Sequence, residues 1–591
     1  MSLKPFPRAW AHHLSWDFFY AAAAGLLALW SSRLLVSGSY YSLWDLTWYG
    51  RLFPGPLPII LFLAVLASGG RTSIARAALL AAAVAPLLGD DSRLLSLAAA
   101  PAAAASLYAL QGLGARAAIA IPSGLAVDHA LHVAARGLEP AEFLWGRLAL
   151  AVLAVLLAAA PQARVEPPGL GVVAGLALLQ LGVAYPSGLL SMSRVYDYSL
   201  PVFALLGMTP TLAALLPLAF KGTRVSAASL APTLLLAPAA GAVGGIPGYI
   251  ASSLSAAGAA AIIQGSQPST PSRAAAGGAL FVALAVLGVG VYAYPYIGLW
   301  VVADRMEAVL LAAALVGLAS TLKGAWQPPE RVWPAFGLVA ILAAVSLGLG
   351  LALQEPPIHA AEEGGGGVFV ASLNTHQGFD AYGRFNGVET ARLVASLVKE
   401  GYVVCMQEVD SGRLTSAYSN LPLALRSIGV DISFQPAIEG AYGVAIAGTR
   451  VEDGQGLLLP SIGEQRAALK ASVGGVVVVT AHLGLDPGER ETQAESLVEF
   501  ALSPPRAEVI CGDFNEEEGG ALDYIGEYFE LSLKDRLEGE GYTCCLNSSE
   551  RIVIDYVGVA RWAGSLAWAR ASMDHSDHLL VEGEVVLTRG G

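Results

Sequence analysis

From Trp16 to Leu353 the chain repeats one pattern: an apolar stretch of bilayer length, a short break that carries the charges, then another apolar stretch. Lipid offers the backbone no hydrogen-bond partners, so such stretches can exist only as helices packed on one another. About 20 residues cross a hydrocarbon core of about 30 Å. Runs of this kind lie near 16–36, 54–69, 74–89, 93–113, 117–135, 143–161, 169–189, 199–219, 225–244, 246–264, 275–296, 306–323 and 332–353. The expectation is a polytopic α-helical membrane domain of about thirteen spans over residues 1–353. The first run follows Lys4 and Arg8 but is long, aromatic-flanked and without a cleavage site, which marks a retained span rather than a signal peptide.

The breaks also carry orientation. Lys4, Arg8, Arg71, Arg76, Arg116, Arg164, Lys221, Arg224, Arg273, Lys323 and Arg331 fall on one side of this reading. Arg51, Arg93, Arg136, Arg147, Arg194 and Arg305 fall on the other. The richer set is the cytoplasmic one, so an odd number of spans puts everything after residue 353 outside. Within the spans, Asp128, His129 and His132 stand out, since ionisable groups at membrane depth face a cavity or a partner. Asp128 and His132 share a helix face, which suits either a headgroup or proton site or hydrogen-bonded helix packing. Arg194, Tyr196, Asp197 and Tyr198 form a second polar cluster at interface depth. No internal repeat is visible, which disfavours a transporter of inverted repeats.

Composition changes abruptly at residues 354–367, a Pro/Gly linker that reaches about 50 Å at most, so the C-terminal part is held at the bilayer surface. Residues 368–591 hold 32 acidic and 16 basic side chains, a net of −16, leaving 15 acidic and 18 basic, +3, for the remainder. The whole −13 thus resides in the C-terminal part, a field that repels polyanions and counts against a duplex-DNA enzyme. All four cysteines lie there too. Cys405 and Cys511 sit in apolar strand-like runs, where buried free thiols are expected, and neither a disulfide framework nor a zinc spacing is evident.

Strands and helices alternate from Val368 onward. Candidate strands are 368–373, 403–406, 444–447, 467–473, 476–483, 509–511, 552–559 and 579–586, with helices over 389–399, 489–502 and 521–529. Polar residues recur at the strand ends: Asn374 in SLNTHQGFD, Glu408 in MQEVD, His482 in TAHL, Asp513 and Asn515 in GDFN, Asp555 in IDYV, and Asp577-His578 in SDH. Strand ends are where a sheet can aim several side chains into one crevice. A neighbouring Asp574-His575 duplicates the last motif; the apolar strand directly after it favours Asp577-His578.

This series, in this order, resembles the endonuclease/exonuclease/phosphatase superfamily over residues 368–591. The resemblance implies a four-layer α/β/β/α sandwich with its site at one edge of the packed sheets. It implies Glu408 as metal ligand, assisted by Asn374 and Asp577, and Asp513 as the group that orients or deprotonates the attacking water. Asn515 and His482 then contact the phosphoryl oxygens, and His578, polarised by Asp555, serves as general base or transition-state stabiliser. Phosphodiester hydrolysis independently needs a hard cation, donors for developing charge and an in-line nucleophile. Mg²⁺, or Mn²⁺ in its place, suits a site with so few carboxylates. Tyr442 lies where many members contact phosphate, but the asparagine common after the next glycine is missing, so it stays outside the catalytic set.

GDFN runs into three glutamates rather than the arginine-bearing continuation of inositol phosphatases. A multispan half preceding this domain, with NTHQGFD and GRFN, is similar to the C-terminal part of eukaryotic GPI-anchor lipid-remodelling, ceramide-exchanging proteins. Gly383 and Arg384 of GRFN are expected in a loop near the site. The resulting expectation is a membrane-bound, metal-dependent phosphodiesterase or exchange enzyme. It would act on an inositol-phosphate or GPI-like lipid, with water or a second lipid as acceptor, no nucleic-acid partner, and an extracytoplasmic catalytic domain. An extracytoplasmic nuclease, or a transporter or receptor with a non-catalytic domain, are the alternatives.

Overall fold

A computed structural model describes residues 16–49, 51–160, 166–192, 198–219, 231–243, 245–297, 306–321, 332–359, 367–438, 440–546 and 551–588. Lys4, Arg8, Arg164, Arg194, Tyr196, Asp197, Lys221, Arg224, Arg305, Lys323 and Arg331 lie outside them. The regular elements among the described residues of the N-terminal half are helices: α1 (Trp16–Tyr49), α2 (Leu57–Ala67), α3 (Thr72–Ala81), α4 (Ser92–Gly112), α5 (Ala117–Ala134), α6 (Leu144–Ala159), α7 (Leu170–Met192), α8 (Leu200–Leu206), α9 (Thr209–Ala219), α10 (Leu236–Val243), α11 (Gly245–Gly265), α12 (Pro271–Ile297), α13 (Met306–Thr321) and α14 (Trp333–Leu353).

Six helical segments among the described residues, rather than about thirteen, have the length and composition of a membrane span: Phe18–Trp44, Ser92–Gly112, Ala117–Ala134, Leu200–Leu218, Pro271–Val289 and Trp333–Leu353. Breakers shorten several of the expected spans. The 54–69 run keeps only the eleven residues of α2 before Ser68-Gly69-Gly70, and 74–89 splits into α3 and a 3₁₀ segment, Ala82–Leu87, around Pro86. Large apolar side chains stand bare on α6 (Leu148, Val152, Leu156) and α14 (Ile341, Leu351), a surface that suits lipid tails rather than water.

In the opposite direction, α1 outruns its expected end at residue 36 and continues to Tyr49. Ser37-Gly38-Ser39 reads as a break, yet Gly38 is where α1 crosses α4: a Cβ there would sit 2.1 Å from the Ser92 carbonyl oxygen. Asp128 also finds its explanation in this helix. Arg33, fully buried on α1, grips both Asp128 oxygens at 2.9 and 3.0 Å, and its Nε donates to Glu139 at 3.0 Å. His132 and His129 hydrogen-bond backbone carbonyls of Asp128 and Ala204, so the cluster cross-links helices. In the sequence, a lone arginine inside an apolar run gives no sign of this pairing.

The C-terminal half is built on two mixed sheets. In chain order its strands are β1 (Gly367–Asn374), β2 (Val403–Asp410), β3 (Asp431–Ile438), β4 (Tyr442–Gly448), β5 (Val451–Leu458), β6 (Ala467–Val473), β7 (Val476–His482), β8 (Val509–Asp513), β9 (Phe529–Leu531), β10 (Leu537–Gly539), β11 (Asp555–Ala560), β12 (Gly564–Asp574) and β13 (Leu579–Leu587). One sheet runs β10-β12-β13-β1-β2-β4-β3 and the other β5-β6-β7-β8-β11-β9. Helices α15 (Gly387–Lys399) and α16 (Leu421–Ser427) cover the first sheet, and α17 (Pro487–Leu502) and α18 (Gly520–Tyr528) the second. Both inner faces share one core, in which Val370, Cys405 and Ile446 meet Val478, Val509 and Val557. That is the expected four-layer α/β/β/α sandwich. The cysteines depart from expectation: Cys405 on β2 pairs with Cys511 on β8 across the core (Cα–Cα 6.2 Å), and Cys544 pairs with Cys545.

The sandwich is docked on one end of the helical half. Ser92 donates to Gly383 O through both its amide and its hydroxyl, Ser37 Oγ donates to Thr415 O, and Asn420 N donates to Gly137 O. Phe379, Phe385, Leu414 and Tyr442 belong to the same buried cluster as α1 and α4. The start of the linker is anchored rather than free. Gln354 bonds Leu200 N and Arg426 O, Glu355 pairs with Arg136, and Ile358 is buried; residues 360–366 lie outside the described set.

Candidate active site

The sheet topology explains why the polar strand ends converge. β1 and β2 run parallel, as do β7 and β8, so Asn374, Glu408, His482 and Asp513 all stand at carboxyl ends. The antiparallel partner β11 begins at Asp555, directly opposite Asp513. Glu408 sits where β2 shifts register between Met406 and Val409, at φ +54°. Such a bulge turns a side chain off the sheet's alternation. Thr375 Oγ1 bonds the carbonyls of both Gln407 and Glu408 and holds it there. His376, Gln377 and Asn515 also carry positive φ, so strained backbone gathers at this edge at about 1–3 kcal/mol each.

The contacts fall into three groups. Asn374 Nδ2 donates to Glu408 Oε1 at 3.3 Å and to Asp513 Oδ2 at 3.0 Å, while its Oδ1 accepts the His376 amide. His578 Nδ1 lies 2.8 Å from Asp555 Oδ2, and its Nε2 is 3.9 Å from Asp513. His482 Nε2 is 3.5 Å from Asp513, with the Arg466 guanidinium against its ring at 3.0 Å. Beside these groups, Asp577 Oδ1 is 3.5 Å from His376 Nδ1. Asn515 donates its amide N–H to Asp513 Oδ1, whereas its side chain donates to Leu483 O. His575 turns away to Thr390 and Asn386, which leaves the SDH histidine, His578, as the one in the site. Gly383 and Arg384 contact the loop before α4 instead of the site.

Electrostatics separates the roles. Burial, then the Asp555 charge, pushes Asp513 up to about 7 despite His578 and Asn374. Burial alone would lower His578, but Asp555 overrides it and holds the imidazole well above its usual range. Burial, then Arg466 and His578, keeps His482 well below. The site therefore pairs a cationic imidazole with a neutral one around a carboxyl that can exchange a proton near neutrality, the separation acid–base chemistry requires.

For a divalent cation, Asp513, Asp555 and His578 have ligand atoms within 4.8 Å of one another. Asp555 spends Oδ2 on His578 and leaves its buried Oδ1 without a hydrogen bond, so this trio offers a proton relay that also has one free carboxylate oxygen. On the other flank, Asp577 Oδ1 is buried without a hydrogen bond and lies 3.5 Å from His376 Nδ1, while the His376 amide bonds the Asn374 that donates to Glu408. Glu408 and Asp577, linked through Asn374 and His376, supply the carboxylate oxygens a hard cation takes, with one of them free of hydrogen bonds. Motif reading passes over Arg466, which immediately precedes β6 and whose neighbour Ala467 registers with His482. It also passes over His376 and Arg413; the latter is buried, pairs with Asp410 and lies over the Tyr442 ring at 4.4 Å.

No family model matches the chain, and no curated protein matches it. Solved structures similar to it include the human Nocturnin catalytic domain with bound sulfate, at 17% identity over 38% of this chain and 95% of that one (TM-score 0.30). Another is an endonuclease/exonuclease/phosphatase from Beutenbergia cavernae, at 18% identity over 37% and 72% (TM-score 0.30). A third is an endonuclease/exonuclease/phosphatase family protein from Leptotrichia buccalis, at 14% identity over 37% and 99% (TM-score 0.30).

Proposed function

We propose that the protein is a membrane-bound, divalent-metal-dependent phosphodiesterase whose substrate is a phospholipid headgroup of the inositol-phosphate or GPI-like class. The observation that carries this reading is Asp513, a buried carboxyl near neutrality set between the Asp555–His578 pair, His482 and the Asn374–Glu408 pair. Glu408 and Asp577, with Asn374, would hold the cation, Mg²⁺ or Mn²⁺, which when bound would supply charge for the phosphoryl oxygens. Asp513 accepts the proton of the attacking hydroxyl as its oxygen bonds phosphorus and the ester P–O bond opens. His578, cationic and braced by Asp555, donates toward the departing oxygen. His482, backed by Arg466, donates to a phosphoryl oxygen. Water as acceptor gives hydrolysis; a second lipid's hydroxyl gives exchange by the same proton transfers.

The docking of the sandwich on the helical half supports a lipid over a soluble substrate, and the −16 charge of residues 368–591 disfavours long polyanions. An extracytoplasmic catalytic domain is supported by the bundle's charge pattern. The set of Arg71, Arg116 and Arg273, at the end where Gln111 bonds Ser266 and Gly169, counts eleven Lys/Arg in the sequence, against six in the set of Arg93, Arg136 and Arg147 at the docked end. Protease protection of residues 368–591 in sealed, right-side-out vesicles would contradict that sidedness. The activity itself is tested with purified full-length protein on radiolabelled phosphatidylinositol vesicles and on oligonucleotides, with and without EDTA. EDTA-sensitive headgroup release is expected; efficient cleavage of DNA with lipid ignored would replace this reading with a nuclease.

A further inference from the structure

The helix that reaches furthest from the membrane half ends beside the candidate site. At 34 residues and about 1.5 Å per residue, α1 is about 50 Å long, well beyond the hydrocarbon core. Its membrane-length segment closes at Trp44, and the turn before that residue stands against the catalytic domain. Tyr41 occupies this part of the helix and is 3% exposed. Its ring packs 3.9 Å from the Phe379 centroid and meets the His376 ring edge-on at 5.8 Å. The hydroxyl is buried with no hydrogen-bond partner among the described residues, in the field of Glu408, Asp577 and Arg413.

Two more buried polar atoms in the same place make no hydrogen bond, His376 Nδ1 and Asp577 Oδ1, and they face each other at 3.5 Å. A native fold rarely leaves one such group unsatisfied, because desolvation is not recovered. The Tyr41 hydroxyl from a membrane helix thus stands unpaired near an imidazole–carboxylate pair formed by the turn after β1 and the residue before His578. Packing alone needs the Tyr41 ring but gives its hydroxyl nothing to do.

We propose that Tyr41 is a catalytic-site residue supplied by the membrane half, whose hydroxyl donates to a non-bridging oxygen of the phosphodiester that a cation held by Glu408 and Asp577 would bind. The headgroup pocket is then shared between α1 and the sandwich, and the catalytic domain by itself lacks one wall. The assignment rests on the phosphodiesterase reading and adds the direction from which substrate arrives, along the outer end of α1.

The test is inorganic phosphate binding to full-length protein in detergent with Mg²⁺, measured by calorimetry for wild type, Tyr41→Phe, Glu408→Gln and the surface control Tyr382→Phe. Tyr41→Phe keeps the ring and its stacking. It should bind phosphate about tenfold more weakly, the effect of one lost hydrogen bond of about 1.4 kcal/mol. Its ligand-free melting temperature should be unchanged or raised, since an unsatisfied hydroxyl has been removed. Tyr382→Phe should match wild type. Phosphate affinity equal to wild type in Tyr41→Phe, with Glu408→Gln weakened, overturns this assignment alone. A lowered ligand-free melting temperature in Tyr41→Phe overturns it also, because the hydroxyl would then serve the fold. Wild-type binding indifferent to Mg²⁺ and to Glu408→Gln removes the phosphodiesterase reading together with it.

Discussion

Replacing Asp555 by asparagine removes one charge while keeping shape, and the geometry fixes both the direction and the size of the effect. Asp555 is fully buried and its Oδ2 meets His578 Nδ1 at 2.8 Å. A charge-assisted hydrogen bond of this kind is worth about 1.5–3 kcal/mol. At about 1.36 kcal/mol per pKa unit, His578 should therefore hold its proton about 1–2 units less tightly. The same charge is the second cause, after burial, of Asp513's rise to about 7, so Asp513 should move down as well. Activity appears as Asp513 deprotonates and disappears as His578 deprotonates, so both limbs of the pH–rate profile shift to lower pH. On the alkaline limb, where rate follows the protonated fraction of His578, a fall of about 1–2 units should cost about 10–100-fold at a given pH. The assay is kcat/KM for bis(p-nitrophenyl) phosphate against pH, using full-length protein with Mg²⁺. A profile that merely loses height, with both limbs in place, would refute the relay.

The interface between the halves offers two more tests. Glu142 accepts hydrogen bonds from Ser419 Oγ and Val388 N, and burial pushes its carboxyl up to about 8. A folded-state value raised above the usual carboxylate range means its contribution is complete at acid pH and lost as pH rises through 8. The melting temperature of wild type in detergent should drop between pH 5 and pH 8, where the unfolded chain has released this proton and the folded one has not, more than that of Glu142→Gln, and equal drops would exclude Glu142 as the cause. Arg33→Met leaves Asp128 and Glu139 buried without their cation. It should destabilise the helical half by about 3–5 kcal/mol, seen as loss of monodisperse protein in size exclusion, and normal behaviour would contradict the pairing.

Strand ends make much of the site legible. Motifs such as MQEVD and GDFN place an acid after an apolar strand, and the sandwich then gathers such ends at one edge. The hidden residues arrive from outside those motifs. Arg466 precedes a strand with no motif, His376 depends on a left-handed turn, and Tyr41 lies more than three hundred residues from the motif it joins. The helical half is less legible because hydropathy measures where a helix can be, not where it stops. Proline and paired glycines cut the expected spans at residues 69 and 86, while Gly38 allows α1 to pass α4 and continue. Cysteine pairing is equally invisible, since it joins two strands brought together only when the sheets pack.

The central claim is a single metal-dependent centre at the sheet edge, and one comparison tests it most directly: headgroup release from phosphatidylinositol vesicles by full-length wild type and Glu408→Gln. Wild type should be active with Mg²⁺, silent in EDTA and restored by adding Mg²⁺ back. Glu408→Gln, folded by its melting temperature, should lose at least about a hundredfold, the scale of removing several kcal/mol of charge stabilisation. Undiminished release by Glu408→Gln, or release by wild type that persists in EDTA, would contradict the account.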